Sequence, residues 1–175
     1  MGKVLYLVRH CQATGQAPEA ELTSRGEEQA QELSRFFEEK NVAHIISSPF
    51  TRAIQSIEAT ANRHGLRIEI DSRLSERVLS NENLPDWMER LEESFGDLDM
   101  KLMGGESGNE AMARGMEVIR NAPDRSILVT HGNLLGLLLK KMDNSYGYKE
   151  WQELSNPDVY EIDTDEGQIK RIWNQ

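Results

Sequence analysis

Short unbroken apolar runs alternate with longer amphipathic stretches along most of this chain. Val4-Leu5-Tyr6-Leu7-Val8 is continuous, β-branched and aromatic, which predicts a buried strand. Ser24 with Glu27 three residues on has the form of a capping box. The helix that follows carries Ala30, Leu33, Phe36 and Phe37 on one face and ends near Asn41. Ala43 to Ser47 predicts a second strand, closed by Ser48-Pro49. A helix from about Phe50 to His64 turns Ala53, Ile54, Ile57 and Ala61 inward and stops at Gly65. Leu66, Ile68 and Ile70 alternate with Arg67 and Glu69, so a third strand has a polar face and belongs near a sheet edge.

Between Val78 and Glu106 the pattern loosens. Asp86 to Phe95 predicts a short helix, and the rest is polar, with glycines and methionines. This excursion is expected to pass over the C-terminal edge of the sheet, where loops carry function. Ser107 with Glu110 is a second capping-box signature, opening a helix to about Asn121 with Met112, Met116 and Ile119 inward. A strand from Ser126 to Thr130 and a helix from Asn133 to Met142 follow. Val159-Tyr160-Glu161-Ile162 and Ile169-Lys170-Arg171-Ile172, split by Asp165-Glu166-Gly167, predict a hairpin. Strands alternating with helices predict an α/β fold with a mostly parallel sheet, as one domain over residues 1–175.

Composition narrows the function classes. A net charge of −10 argues against nucleic-acid binding, which wants a basic footprint. A small anionic substrate is still compatible, because surface charge beyond a Debye length of about 8 Å is largely screened. The single cysteine, Cys11, excludes an intramolecular disulfide and fits a reducing cytoplasm. The first apolar run is too short for a signal segment, and no stretch approaches the ~20 apolar residues that span a bilayer. Nothing in the pattern sets an oligomeric state.

Four positions stand where a predicted strand ends or a helix begins: Arg9 with His10, Arg52, Glu76 and His131. At one sheet edge they would unite two guanidiniums, two imidazoles and a carboxyl, where α/β folds bind ligands. Guanidinium forks match phosphate oxygens. A histidine among them is a candidate nucleophile toward phosphorus. A lone acid suits protonation of a leaving oxygen, and the amides that open the helix after Gly132 are expected to hold an anion. His44 and His64 have no assigned role, and Cys11 reads as a small buried residue.

These residues carry a family resemblance. Leu7-Val8-Arg9-His10, then Leu22-Thr23 with Gly26, Gln29 and Ala30, resembles the histidine phosphatase superfamily, also called phosphoglycerate mutase-like. So do Ser47-Ser48-Pro49 with Arg52-Ala53 and Gln55, Leu74-Ser75-Glu76-Arg77, Gly105-Glu106-Ser107, and Thr130-His131-Gly132-Asn133. The resemblance implies a three-layer α/β/α sandwich and a phosphohistidine intermediate, with no metal and no cofactor. It implies that His10 is phosphorylated, that Arg9, Arg52 and His131 hold the phosphoryl group, and that Glu76 donates the proton. Gln16, Arg77, Gly132 and Asn133 are the further candidates for phosphate or substrate contact. The chain departs from the family pattern at Cys11, where glycine is usual, at Ala13, where Ser or Thr is common, and at Gln16, where many members have Asn.

The expected function is hydrolysis of a small phosphomonoester. An isomerase using the same phosphohistidine is the alternative, with Arg77 as a cation for a glycerate carboxylate. A non-catalytic module that binds phosphorylated ligands is a third reading. Specificity is expected from the excursion, where Arg90 and Lys101 are candidate contacts.

Overall fold

The computed structural model describes residues 2–173. Its strands are β1 (Val4–Arg9), β2 (His44–Ser47), β3 (Ile68–Ile70), β4 (Ser126–Thr130), β5 (Asp158–Asp163) and β6 (Gln168–Arg171). They form one sheet in the order β3-β2-β4-β1-β5-β6. β1 and β4 pair in parallel, as do β4 with β2 and β2 with β3. The predicted hairpin forms from β5 and β6, and it extends the sheet by laying β5 antiparallel to β1. β3 lies at the edge, with Ile70 exposed.

The strand period of two sorts side chains into two cores. Leu5, Leu7 and Leu128 face one side, where they meet helices α3 (Trp87–Gly96), α4 (Gly108–Asn121) and α5 (Gly132–Met142) through Phe95, Val118 and Leu135. Tyr6, Val8, Ile127 and Val129 face the other, against α1 (Ser24–Phe37) and α2 (Thr51–His64) through Leu33, Phe37 and Ile57. The result is the expected three-layer sandwich. α5 is apolar almost all round, and Leu134, Leu135, Leu137, Leu138 and Leu139 are all buried. Each fully buried leucine contributes roughly 1.5–3 kcal/mol.

Some local details differ from expectation. The N-cap of α1 is Thr23, whose Oγ1 accepts from the Gly26 amide at 2.9 Å, so Ser24 is the first helical residue and caps nothing. The second capping box forms as expected, with Ser107 and Glu110 bonded reciprocally. Gly65 ends α2 with φ +64°. A 3-10 turn, Ser72–Leu74, and a short helix α6 (Tyr148–Gln152) have no counterpart in the periodicity reading. Met103 is an exposed side chain and packs into no core. No helix among the described residues is long and apolar enough to cross a membrane.

Candidate active site

Two parallel strands deliver the central pair of imidazoles. β1 and β4 run in register, Arg9 opposite Thr130, and the His10 amide donates to the Thr130 carbonyl at 3.2 Å. His10 and His131 therefore leave neighbouring strands side by side. Their rings meet edge to face at 5.1 Å between centroids.

The protonation of His10 follows from its partners. Nδ1 lies 2.7 Å from the Cys11 carbonyl, which can only accept, so Nδ1 carries the proton. Nε2 keeps its lone pair and accepts from Arg52 Nε at 3.3 Å. Burial, with Arg52 and Arg9 nearby, brings the imidazole down to about 3, although the Cys11 carbonyl opposes this. His131 is brought down to about 2, by burial first and then by His10 and the arginines. Both rings are neutral at physiological pH. Ser48 Oγ accepts from the Phe50 amide at 3.2 Å and lies 2.8 Å from His131 Nε2, which leaves the buried Nδ1 without a partner.

The two arginines are held rigidly. Arg52, in the first turn of α2, is 1% exposed, so it is no solvated helix charge. Its Nη1 donates to the carbonyls of Gln16 at 3.2 Å and Ala17 at 2.8 Å. Arg9 Nη1 donates to the Leu154 carbonyl at 3.2 Å, while its buried Nε has no partner. Burial lowers the pKa of each guanidinium, and Glu76 raises it again.

Glu76 overturns one expectation. The amides opening α5 do hold an anion, but it is this carboxylate. Oε2 accepts from the Asn133 amide at 3.0 Å, and Oε1 accepts from Leu134 at 2.9 Å and Arg77 at 2.8 Å. The amides of Asn133 and Leu134 are thus already taken, which corrects the expectation that they hold a phosphate. The carboxyl sits above its ordinary range because burial outweighs the three amides and Arg9. Gly132 serves sterically: a Cβ there would lie 2.8 Å from Arg9 Nη2, so only glycine lets the guanidinium lie across the start of α5. Asn133 reaches the cleft with a side chain whose buried Oδ1 is unpartnered.

The remaining candidates separate. Gln16 is exposed and lines the cleft over the site, a cavity of about 560 Å³. Arg77 borders the same cleft, but its guanidinium is engaged elsewhere. Nε and Nη2 donate to the Glu106 carbonyl and Nη1 donates to Ser94 Oγ, so it braces the excursion from within. Arg90 pairs with Asp86 and Glu93, and Lys101 with Glu110, all outside the cleft lining. Glu106 is held ionised by Arg114, at 2.6 Å, and is no candidate acid. Cys11 is fully buried, its amide bonded to Ser56 Oγ, and burial pushes its thiol up to about 12.

Several supporting groups escaped the sequence reading. Arg114 on α4 donates to the carbonyls of Arg73 and Ser75 at 2.8 Å and to Glu106, fixing the turn that carries Glu76. Thr130 Oγ1 ties the same turn to β4 through the Leu74 carbonyl. Asn156 Nδ2 donates to the His10 carbonyl at 3.0 Å. None has a local signature, since apart from the Arg114–Glu106 pair these contacts span more than 35 positions of chain. Among the described residues no group of three or more His, Cys, Asp or Glu gathers in a metal-holding arrangement.

Known proteins share this arrangement of chain. The Escherichia coli O1:K1 protein named "Probable phosphoglycerate mutase GpmB" is 32% identical, over 93% of this chain and 85% of its own length. Its Shigella dysenteriae counterpart is 31% identical over the same shares. A mycobacterial glucosyl-3-phosphoglycerate phosphatase has the same fold, with a TM-score of 0.74 and 22% identity over 99% of both chains. A structure described as mycobacterial hydrolase 1 superposes with a TM-score of 0.76 and 22% identity, over 100% of this chain and 99% of its own. The sequence model of the histidine phosphatase superfamily (branch 1) matches residues 5–174. With paired strand-end histidines on a sheet of this topology, that family model over nearly the whole chain and relatives named as probable phosphoglycerate mutases, the chain belongs to that superfamily and is an enzyme of phosphoryl transfer.

Proposed function

We propose that the protein hydrolyses a small phosphomonoester through a phosphohistidine at His10. The observation that carries this reading is the set of unpartnered groups around that ring. Nε2 of His10 carries no proton and holds its lone pair toward Arg52 Nε, and the buried Arg9 Nε and His131 Nδ1 have no partner. A phosphoryl oxygen would satisfy the Arg9 Nε donor, and Arg52 adds a fixed positive charge beside the ring.

In the first step the His10 Nε2–P bond forms as the P–O bond to the alcohol breaks. Glu76, kept protonated more readily by burial, delivers its proton to the departing oxygen. Water then attacks phosphorus, the N–P bond breaks, Glu76 accepts a proton from that water, and phosphate leaves. Residues 1–175 act as one catalytic domain, with 78–106 forming the wall over the site. No nucleic acid or membrane takes part, and the reduced, buried Cys11 fits work in the cytoplasm.

The similarity to proteins named phosphoglycerate mutase favours isomerisation as a second reading. Against it stands the charge of the cleft. Arg77 is committed to Glu106 and Ser94, and Arg90 and Lys101 face elsewhere, so none of these three is free to meet a glycerate carboxylate. The deciding experiment follows free phosphate and isomer exchange together across a panel of phosphate esters and phosphoglycerates. Phosphate release should dominate, with a base-stable, acid-labile phosphoenzyme absent from His10→Ala. Isomer exchange that outruns release, or full turnover by His10→Ala, would sink the reading.

A further inference from the structure

The outer half of the cleft differs in chemistry from its floor. Trp87 of α3 and Trp151 of α6 meet edge to face at 6.5 Å, with planes at 87°. Trp151 is backed by Tyr148, stacked at 5.5 Å, and is seated against Gly136, where an added Cβ would lie 3.3 Å from it. Leu84 and Leu91 continue this wall. Trp87 stays 47% exposed, a large apolar surface left open at the mouth. Among the described residues, the one charged side chain lining the cleft beyond Arg9, Glu76 and the committed Arg77 is Glu82.

We propose that this outer half selects the alcohol of the ester, and that the alcohol is uncharged and carries an apolar ring. The two indoles and the leucines offer a ring both area and preferred edge-to-face geometry. Glu82 repels an anionic tail, and among the described residues the cleft's arginines, Arg9 and Arg77, are committed elsewhere. A volume of about 560 Å³ exceeds the needs of phosphate alone and falls in the range of sites that enclose a whole small ligand. This inference rests on the reading above in one respect, that the phosphate end sits at His10.

The test uses non-hydrolysable phosphonates, so that binding is read apart from turnover. Calorimetry compares 3-phenylpropyl-, propyl- and 4-carboxybutylphosphonate. The phenyl analogue should bind at least about tenfold more tightly than the other two. Trp87→Ala and Trp151→Ala should collapse the phenyl-to-propyl ratio toward one, and Trp87→Phe should restore most of it. Trp87 is exposed, so its variants remain informative if Trp151→Ala fails to fold. Glu82→Lys should improve the carboxybutyl analogue relative to propyl. Tightest binding of the carboxybutyl analogue, or a phenyl preference indifferent to both tryptophans, would overturn the proposal. Phosphate release from the matching esters is measured on the same samples. Its absence alongside the phenyl preference would count against the phosphatase reading and leave the selectivity standing.

Discussion

The carboxylate of Glu76 closes the N-terminus of α5, accepting from the amides of Asn133 and Leu134 at 3.0 and 2.9 Å. A helix N-terminus favours an anion, while burial favours the protonated acid. Glu76 sits between these pulls, with burial the larger. That balance suits a group which must give up a proton and then take one back.

Glu76→Gln keeps the shape of this contact and removes the transferable proton. It should slow the enzyme by roughly 10²–10⁴-fold on alkyl phosphates, the usual worth of general acid catalysis, and much less on esters of acidic phenols. A plot of log kcat/KM against leaving-group pKa should steepen. Parallel lines for the two proteins would remove Glu76 from the acid role.

The histidines make the fold sensitive to acid. With folded values of about 3 for His10 and about 2 for His131, against 6.5 unfolded, the unfolded chain binds more protons throughout that window. Stability is therefore full above pH 6.5 and falls as pH drops through it, by up to about 1.4 kcal/mol per pH unit for each ring. The raised carboxyl of Glu76 works the other way above 4.5, losing stability as pH rises through its folded value. Urea titrations from pH 7 to 4 should give a smaller slope for His131→Gln than for the parent chain. An unchanged slope would contradict the buried neutral ring.

Gly132→Ala places a methyl group against the Arg9 guanidinium, 2.8 Å from Nη2. Arg9 must shift, because the backbone on the other side is the first turn of α5. The expected cost is about 1–3 kcal/mol of overpacking strain. Turnover should fall more than tenfold, as for misplaced catalytic groups generally. Thermal melting and steady-state kinetics on one preparation measure both, and wild-type turnover would show that Arg9 need not lie there.

Cys11 should be chemically silent in the native protein. Its thiol is fully buried and pushed up to about 12, so thiolate is scarce at neutral pH. Iodoacetamide at pH 8 should label it only after addition of urea, without prior loss of activity. Rapid native labelling would contradict the buried, protonated thiol.

Sequence pattern and structure agree best where chemistry sits at the end of a regular element. Arg9-His10, Arg52 and His131 come together because strand ends and a helix start are legible locally, and parallel pairing does the rest. The layers follow for the same reason, since alternation along β1 and β4 assigns each side chain to a core. What escaped depends on contacts remote in sequence. The claim of Glu76 on the amides of α5 spans more than fifty positions, and no periodicity reveals which anion caps a helix. Arg77 has the composition of a substrate cation and becomes a brace through Ser94 and the Glu106 carbonyl. At α1, two adjacent hydroxyl residues competed for the cap, and only backbone geometry favoured Thr23 over Ser24.

The in-register pairing of β1 with β4 ties the phosphoryl end of the site to buried central strands of the sheet. Local opening there would mean opening the whole sheet, so the His10 amide should exchange with solvent only at the rate of global unfolding. The cleft wall between Val78 and Glu106 is anchored by Leu91 and Phe95 in the core and by Arg77 and Arg114 on Glu106, while its loops rest on contacts such as Asn81 N to the Met103 carbonyl. The loops of the wall can therefore vary, and the substrate with them, so long as the Arg77, Glu106 and Arg114 anchor that steadies the Glu76 turn is kept.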